Sequence, residues 1–508
     1  MALLGSLVSW FFRRRMQQIE HDMFHATDVQ ERTFKELIKT AKNTVWGKKY
    51  GYASINSYQE FKSRVPISNY DSLKPYIERT MKGEQNVLWP TDINWFAKSS
   101  GTTSDKSKFI PVSEEALDGC HFQGGRDVLT VYCHNNPETK FFDGKGLVLG
   151  GSHQISSYNE NTSFGDLSAV MMANLPFWVN FLRTPDLSIA LLDEWEEKIE
   201  KTAAATIDED VTNIFGVPTW TVVLINHLLE KTGKKSLLDI WPNLEVYVHG
   251  GVSFVPYREQ FKRLIPSDKM NYLETYNASE GFFGMQIENK GDDMLLMTDY
   301  GVFYEFIKSD ELYTSENPKS YTIGEVEKDI NYAVIISTNA GLWRYILGDT
   351  IKFTSTNPYK FKITGRTKLF INAFGEELMI ENAEKALADA CSKHNATVKD
   401  FTAAPIYFDT NDEEGKSGGH QWLIEFEKPP ENMQAFGEDL DNKLKDVNSD
   451  YEAKRHKDMA LKPPTIQVMP NGTFNHWLKA KGKLGGQHKV PRLSNDRKII
   501  EEILAHKM

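Results

Sequence analysis

Over residues 85–365 the apolar and polar positions alternate between two periods. Short unbroken apolar runs at 146–149, 244–248 and 333–337 have the length of buried strands, while 114–133 and 220–231 repeat their apolar positions at helical spacing. Buried strands alternating with helices predict an α/β sheet. In open sheets of that kind ligands gather beyond the carboxyl ends of the strands, so the glycine-rich and polar turns after these runs are where chemistry is expected.

The pattern changes after Phe361-Lys362-Ile363-Thr364-Gly365-Arg366-Thr367-Lys368, where two helices and a few strands follow in close succession. The first helix is expected over 376–391, with acidic residues at its start, where a helix dipole favours them. The second carries Met433, Phe436, Leu440, Leu444 and Val447 on one face. Residues 420–427 and 465–469 read as strands. The expected organisation is therefore a large domain of β-sheets and packed helices over residues 1–364 and a small α+β domain over 365–508.

At the N-terminus an apolar run over 2–12 precedes Arg13, Arg14 and Arg15. A spanning helix needs about twenty apolar residues, and this run is too short. Its charges follow the apolar stretch, the reverse of a secretory signal, so it reads as a packed helix and no transmembrane segment is expected.

Composition narrows the function classes. The chain has 508 residues, 40% hydrophobic and 25% charged, which is the make-up of a folded globular protein. With 59 basic and 70 acidic residues its formal charge is −11, which disfavours nucleic acid as a partner. Cys120, Cys133 and Cys391 form no CxxC pair, so neither a disulfide framework nor a zinc site is expected, and a reducing cytoplasm fits. There is no HExxH and no GxSxG motif; His249 reads as a structural neighbour of the turn that follows it.

Four segments carry candidate chemistry. Lys98-Ser99-Ser100-Gly101-Thr102-Thr103-Ser104-Asp105-Lys106-Ser107-Lys108 joins hydroxyls, a glycine and lysines just before a helix, a composition able to wrap a polyphosphate, although it is not the Walker pattern. In His249-Gly250-Gly251-Val252-Ser253 the paired glycines would let a flat base approach the backbone. Tyr276-Asn277-Ala278-Ser279-Glu280-Gly281 offers a ring for stacking, a hydroxyl for phosphate and a carboxylate for Mg²⁺. Trp343-Arg344-Tyr345-Ile346-Leu347-Gly348-Asp349 ends in an acid suited to accept hydrogen bonds from ribose hydroxyls.

In order and separation, Ser99-Ser100-Gly101-Thr102-Thr103, Tyr276-Asn277-Ala278-Ser279-Glu280 and Arg344-Tyr345-Ile346-Leu347-Gly348-Asp349 resemble the three nucleotide motifs of the auxin-responsive acyl acid-amido synthetases. That family belongs to the adenylate-forming superfamily with acyl-CoA synthetases and luciferase, and the similarity covers most of the chain. It implies a large N-terminal adenylate-forming domain and a small mobile lid. It also implies that ATP and Mg²⁺ are used to activate a small carboxylic acid, which is then joined to an amine, an amino acid, by a monomeric enzyme.

Carried over by position, the resemblance implies that Ser99, Ser100, Gly101, Thr102, Thr103 and Lys108 hold ATP phosphates, and that Tyr276 and the Gly250-Gly251 turn flank adenine. Ser279 would touch the α-phosphate, Glu280 would hold the metal, and Asp349 and Arg366 would hold the ribose, with Lys368 near an inter-domain pivot. Gln487-His488-Lys489-Val490-Pro491-Arg492 is similar to the family's lysine segment, making Lys489 the closing catalytic cation. Plant members usually have a second arginine where this chain has Ile346, and the superfamily's glycine-lysine signature near the C-terminus is missing. For the acyl acid, Phe177, Trp178, Phe215 and Trp220 are candidate aromatic lining and Arg126 a candidate carboxylate partner. Two alternatives stay open: an acyl-CoA synthetase, which differs in its acceptor, and a nucleotide-binding protein without turnover.

Overall fold

The structure is a computed structural model and describes residues 2–100, 107–150, 155–192, 194–312, 318–367, 370–407, 418–481 and 490–506. Its centre is a twelve-stranded sheet of two characters. At one end five strands, Asn271–Ala278, Val246–Gly250, Val211–Gly216, Lys145–Leu149 and Arg183–Thr184, run parallel. Helices cover strands of this kind, and Val211 to Ile214 and Val246 to His249 are accordingly buried throughout. The rest of the sheet is antiparallel and carries the strands Gly281–Met285, Asn331–Thr338, Tyr345–Thr356 and Tyr359–Arg366. The expected strands over 146–149 and 333–337 lie within it, and the one expected over 244–248 begins two residues later, at Val246.

A four-stranded sheet holds the strand Trp95–Ser100 antiparallel to Ser107–Val112. The pairs Ser99 with Lys108 and Ser100 with Ser107 bracket the hydroxyl-rich loop and bring its ends together. The helical pattern over 114–133 is a helix at Glu114–Ala116, a wider π-type turn at Leu117–Phe122 and a helix at Gln123–Asn135. The N-terminal helix, Ala2–Phe24, is anchored to this region: Arg15 donates to Asp127 at 2.9 and 2.6 Å and to Asp299 at 2.9 Å. No helix among the described residues is long and apolar enough to cross a membrane.

The C-terminal domain places the helices Ile380–Lys393 and Met433–Val447 on a sheet of Thr397–Ile406, Gly419–Lys428 and Thr465–Met469. Its first helix begins four residues later than the acidic pattern suggests. Glu376 is instead wholly buried in the preceding loop, where its carboxylate accepts from the amides of Ala373 and Phe374 and pairs with His420 Nε2 at 2.8 Å. A carboxylate that closes a loop in this way cannot also serve the dipole of the next helix.

The two domains are docked in this arrangement. Tyr257 Oη donates to the carbonyl of Ala373 at 2.6 Å, Thr219 Oγ1 to that of Phe374 at 3.0 Å, and Asn372 Nδ2 to that of Gly251 at 3.1 Å. One apolar core runs from Leu147, Ile214 and Tyr247 into Phe374, Leu387, Trp422 and Leu440 without a break.

Candidate active site

The parallel strands end at Leu149, Gly216, Gly250 and Ala278, which defines the carboxyl end of the sheet, where open α/β sheets place their ligand crevice. At Gly250 a Cβ would lie 2.6 Å from the carbonyl oxygen of Thr275, and Gly251 has φ +81°, so neither position admits a side chain without strain. Glycine is required at Gly250 by the neighbouring strand and at Gly251 by the turn.

Ala278 pairs with Gly281 across a hairpin, so Ser279 and Glu280 form a two-residue turn that presents both at the crevice. Glu280 is half-buried, and its carboxyl lies 3.4 Å from the Tyr345 hydroxyl. Burial pushes this carboxyl above the usual range; Lys108 and Arg366 pull it back and Glu377 pushes it further. Lys108, from the end of the hydroxyl-rich loop, therefore acts on the turn that carries Glu280.

Beside them is a chain of four side chains. Tyr276 Oη donates to Asp349 Oδ2 at 2.6 Å, Arg366 Nε donates to Asp349 Oδ1 at 2.8 Å, and Arg366 Nη2 donates to Glu377 at 3.2 Å. Asp349 and Arg366 face each other in register across adjacent strands, which is why the pair forms. Burial acts to lower the Arg366 guanidinium, but Glu377 and Asp349 hold it charged. The Tyr276 ring is buried and meets Phe283 and Phe361 edge-on, at centroid distances of 5.1 and 5.9 Å. Glu377, from the loop before the helix Ile380–Lys393, has no signature in the sequence beyond the glycine two residues earlier.

Other expected residues are placed differently. Arg126 is on the outer part of its helix, where it binds Asp118 at 3.0 Å and Gln123. Phe215 is half-buried at the end of its strand, edge-on to Phe141. Trp220 is 3% exposed and stacked on Trp195 at 3.6 Å. Its other face lies under the Lys454 ammonium, 4.8 Å from the ring centre. Arg344, inside the third motif, turns away from the crevice to form a buried ion pair with Glu305 at 2.9 Å, and donates to the carbonyls of Lys62 and Val65. Ile346 packs beside an apolar cluster of Ile307, Leu312, Ala333 and Ile335. Gly101, Thr102, Thr103, Lys368 and Lys489 lie outside the described residues, as do the side chains of Ser100, Phe177 and Trp178.

His249 is buried and stacked on Phe254 at 4.0 Å; burial, with Arg258 adding to it, lowers its imidazole to about 3. It is a neutral packing group, as its place next to the glycine turn suggests. The Cys120 thiol, pushed up by burial to about 12, is no nucleophile. Among the described residues no group of three or more His, Cys, Asp or Glu could hold a metal ion by itself.

A large α/β domain whose bare glycine turns, acid-bearing hairpin and Asp–Arg pair meet a small α+β domain across a crevice is the arrangement of an adenylate-forming ligase. Residues 15–270, 295–366 and 381–498 match the N-terminal, central and C-terminal domains of the GH3 family, and the chain belongs to that family of acyl acid amido synthetases. Relatives include an indole-3-acetic acid-amido synthetase, GH3.3, of Arabidopsis thaliana, 22% identical with 93% of this chain and 90% of the relative covered. Another is the 4-substituted benzoates-glutamate ligase GH3.12 of the same plant, 22% identical with 96% of each covered. Among solved structures, the AtGH3.15 acyl acid amido synthetase in complex with 2,4-DB superposes with a TM-score of 0.63 at 16% identity, covering 97% of this chain and 96% of that one. A 2-hydroxyisobutyryl-CoA ligase in complex with 2-HIB-AMP and CoA superposes with a TM-score of 0.53 at 14% identity, covering 95% and 91%.

Proposed function

We propose that this chain uses ATP to adenylate a small carboxylic acid and then transfers the acyl group to the amine of an amino acid, releasing AMP. The observation that carries the reading furthest is the Tyr276–Asp349–Arg366–Glu377 chain beside the Ser279-Glu280 turn. It holds a half-buried carboxylate by two hydrogen bonds near the hairpin turn that carries Glu280. Family membership and relatives that join acids to amino acids support the same reaction.

A carboxylate is a poor acyl donor because its leaving group would be oxide. Attack by the acid on the α-phosphorus of ATP expels pyrophosphate and leaves a mixed anhydride, whose leaving group is AMP. In this reading Asp349 accepts from the ribose hydroxyls while Tyr276 and Arg366 fix its carboxylate. Gly250 and Gly251 let adenine lie on the backbone, with the Tyr276 ring behind it. Ser99, Ser100, Gly101, Thr102, Thr103 and Lys108 neutralise the phosphates, and Ser279 meets the α-phosphate. Preorganised donors of this kind are usually the largest catalytic contribution.

Glu280 is the residue that would hold Mg²⁺. Mg²⁺ is usually bound through one or two carboxylates together with substrate phosphates and water, and a carboxyl pushed upward by burial is one that gains from a nearby cation. When bound, the ion would screen the phosphate charge. Phe215 remains the aromatic best placed for the acyl side. The reading takes the domains to divide into 1–364 and 365–508, with the smaller acting as a lid that brings Lys489 to the phosphates and then turns to admit the amine. It also takes the chain to work as a monomer in the cytoplasm.

ATP–pyrophosphate exchange over a panel of aromatic, fatty and hydroxy acids tests the first step. Mass spectrometry with mixed amino acids, or with CoA in their place, then identifies the acceptor. No exchange with any acid would sink the reading, and thioester without amide would replace it with an acyl-CoA synthetase.

A further inference from the structure

We propose that Lys454 receives the α-carboxylate of the amino acid acceptor in the cleft between the two domains. This rests on the amide-forming reading above. Lys454 ends the short helix Ser449–Lys454, which leans on the strand Trp95–Ser100 and brings Ser449 Oγ within 3.5 Å of Ser107 Oγ, at the base of the hydroxyl-rich loop. The C-terminal domain thus brings this helix to the base of the loop proposed to hold the phosphates.

The lysine is 8% exposed, and its stem crosses the backbone at Gly375, where a Cβ would lie 3.1 Å from Cε and 3.3 Å from Nζ. Gly375 has φ +86°, so conformation and space both require glycine there. Two residues later comes Glu377, the partner of Arg366. Above it lies the indole of Trp220, held rigid by its stack on Trp195, whose own ring carries Lys198 at 4.9 Å. A cation over an indole is stabilised without being given a hydrogen-bond acceptor.

That missing acceptor is the central observation. An ammonium has three N–H donors, and a buried one ordinarily spends them on carboxylates or carbonyls. Among the described residues the Lys454 ammonium has no hydrogen-bond or ion-pair partner. Burial brings it down to about 8, while Asp450, Glu376 and Asp166 hold it up from longer range. Two of these carboxylates are already engaged: Glu376 by His420 and two backbone amides, and Asp166 by the amide of Ala169.

The charge pattern selects the ligand. A polyphosphate or a simple acid anion reaching Lys454 would be repelled by the three acids around it. An amino acid carries its own ammonium to answer them, while its carboxylate takes the three free donors. The acceptor must also enter between the domains, where Lys454, unlike Arg366 with its two carboxylate partners, is bound to no carboxylate among the described residues.

The test compares the amino acid best used in an acceptor screen with the same amino acid whose α-carboxylate is converted to a carboxamide. The parent should prefer the free carboxylate at least tenfold in kcat/KM. Lys454→Met keeps an unbranched stem against Trp220 and removes the charge. It should raise KM for the amino acid at least tenfold, leave the carboxamide unchanged and so abolish the preference, whereas Lys454→Arg should keep part of it. ATP–pyrophosphate exchange without acceptor should stay within threefold of the parent. The proposal is overturned if the parent shows no preference, if Lys454→Met retains it, or if amino acid and carboxamide fall together, which would mark a structural lysine. Collapse of pyrophosphate exchange in Lys454→Met would overturn it too, assigning the lysine to adenylation. Absence of exchange in the parent would bring down the ligase reading, and this one with it, before any variant is compared.

Discussion

The hydroxyl of Tyr276 donates to Asp349 at 2.6 Å from another strand of the same sheet. Because Asp349 also receives Arg366, its carboxylate is fixed from two directions before any nucleotide arrives. Tyr276→Phe removes one donor and leaves the ring packing in place. The bond is to a charged group and so worth about 1.5–3 kcal/mol, but Arg366 still holds the carboxylate, so KM for ATP should rise by roughly two- to tenfold with the fold unchanged. Asp349→Asn removes the charge as well and should raise it tenfold or more, at about 1.5–3 kcal/mol. Steady-state kinetics of pyrophosphate exchange over an ATP series measures both; an unchanged KM in Asp349→Asn would dismiss the ribose role.

Arg344 belongs to the same sequence motif as Asp349 but should behave in the opposite way. It is buried against Glu305, and breaking a buried pair from one side costs about 3–5 kcal/mol, because the remaining charge is stranded. Glu305→Ala should lower the unfolding free energy measured in urea by that amount, while protein that still folds keeps a KM for ATP near that of the parent. A nucleotide defect without a stability defect would show that the motif acts as a unit on the ligand.

Glu280 gives a catalytic prediction. If it holds the metal, Glu280→Gln should slow pyrophosphate exchange by about a hundredfold, the usual loss for a preorganised electrostatic group, and shift the Mg²⁺ titration to higher concentration. Since burial holds the parent carboxyl up, exchange should begin to fall at a pH above the ordinary carboxylate range as acid is added. Equal exchange in parent and variant at every Mg²⁺ concentration would dismiss it.

Acid should unfold the protein through its buried histidines. Burial lowers His121 to about 4 and His249 to about 3, both from 6.5. The unfolded chain therefore takes up protons below pH 6.5 that the native chain refuses, so stability is complete above that value and falls as pH drops toward 4 and 3. At pH 5 each imidazole should contribute a loss of about 2 kcal/mol. Urea unfolding at pH 7 and pH 5 measures the slope, and His121→Gln should reduce it by about one proton; a slope that does not change would locate the acid lability elsewhere.

Much of the large domain could be read from the chain because a strand buried on both faces leaves an unbroken apolar run, as at 146–149 and 333–337, whatever its neighbours are. The turn at Gly250-Gly251 was legible for a similar reason: local backbone geometry restricts which residues can stand there. The start of the helix after Glu376 was not, since an acid can serve a helix dipole or close a loop, and the choice fell to His420 and two amides brought from other parts of the fold.

By itself, then, the sequence determined the period of each element, the positions that must be glycine and the stock of hydroxyls, acids and lysines available for a nucleotide. Only the tertiary structure decided what each of these faces. Asp349 meets Arg366 because two strands pair in one register, Arg344 turns inward because Glu305 waits across a neighbouring strand, and Trp220 becomes a platform for Lys454 because the domains dock. A periodic pattern records which side of an element is buried; it does not record which distant side chain will be found there.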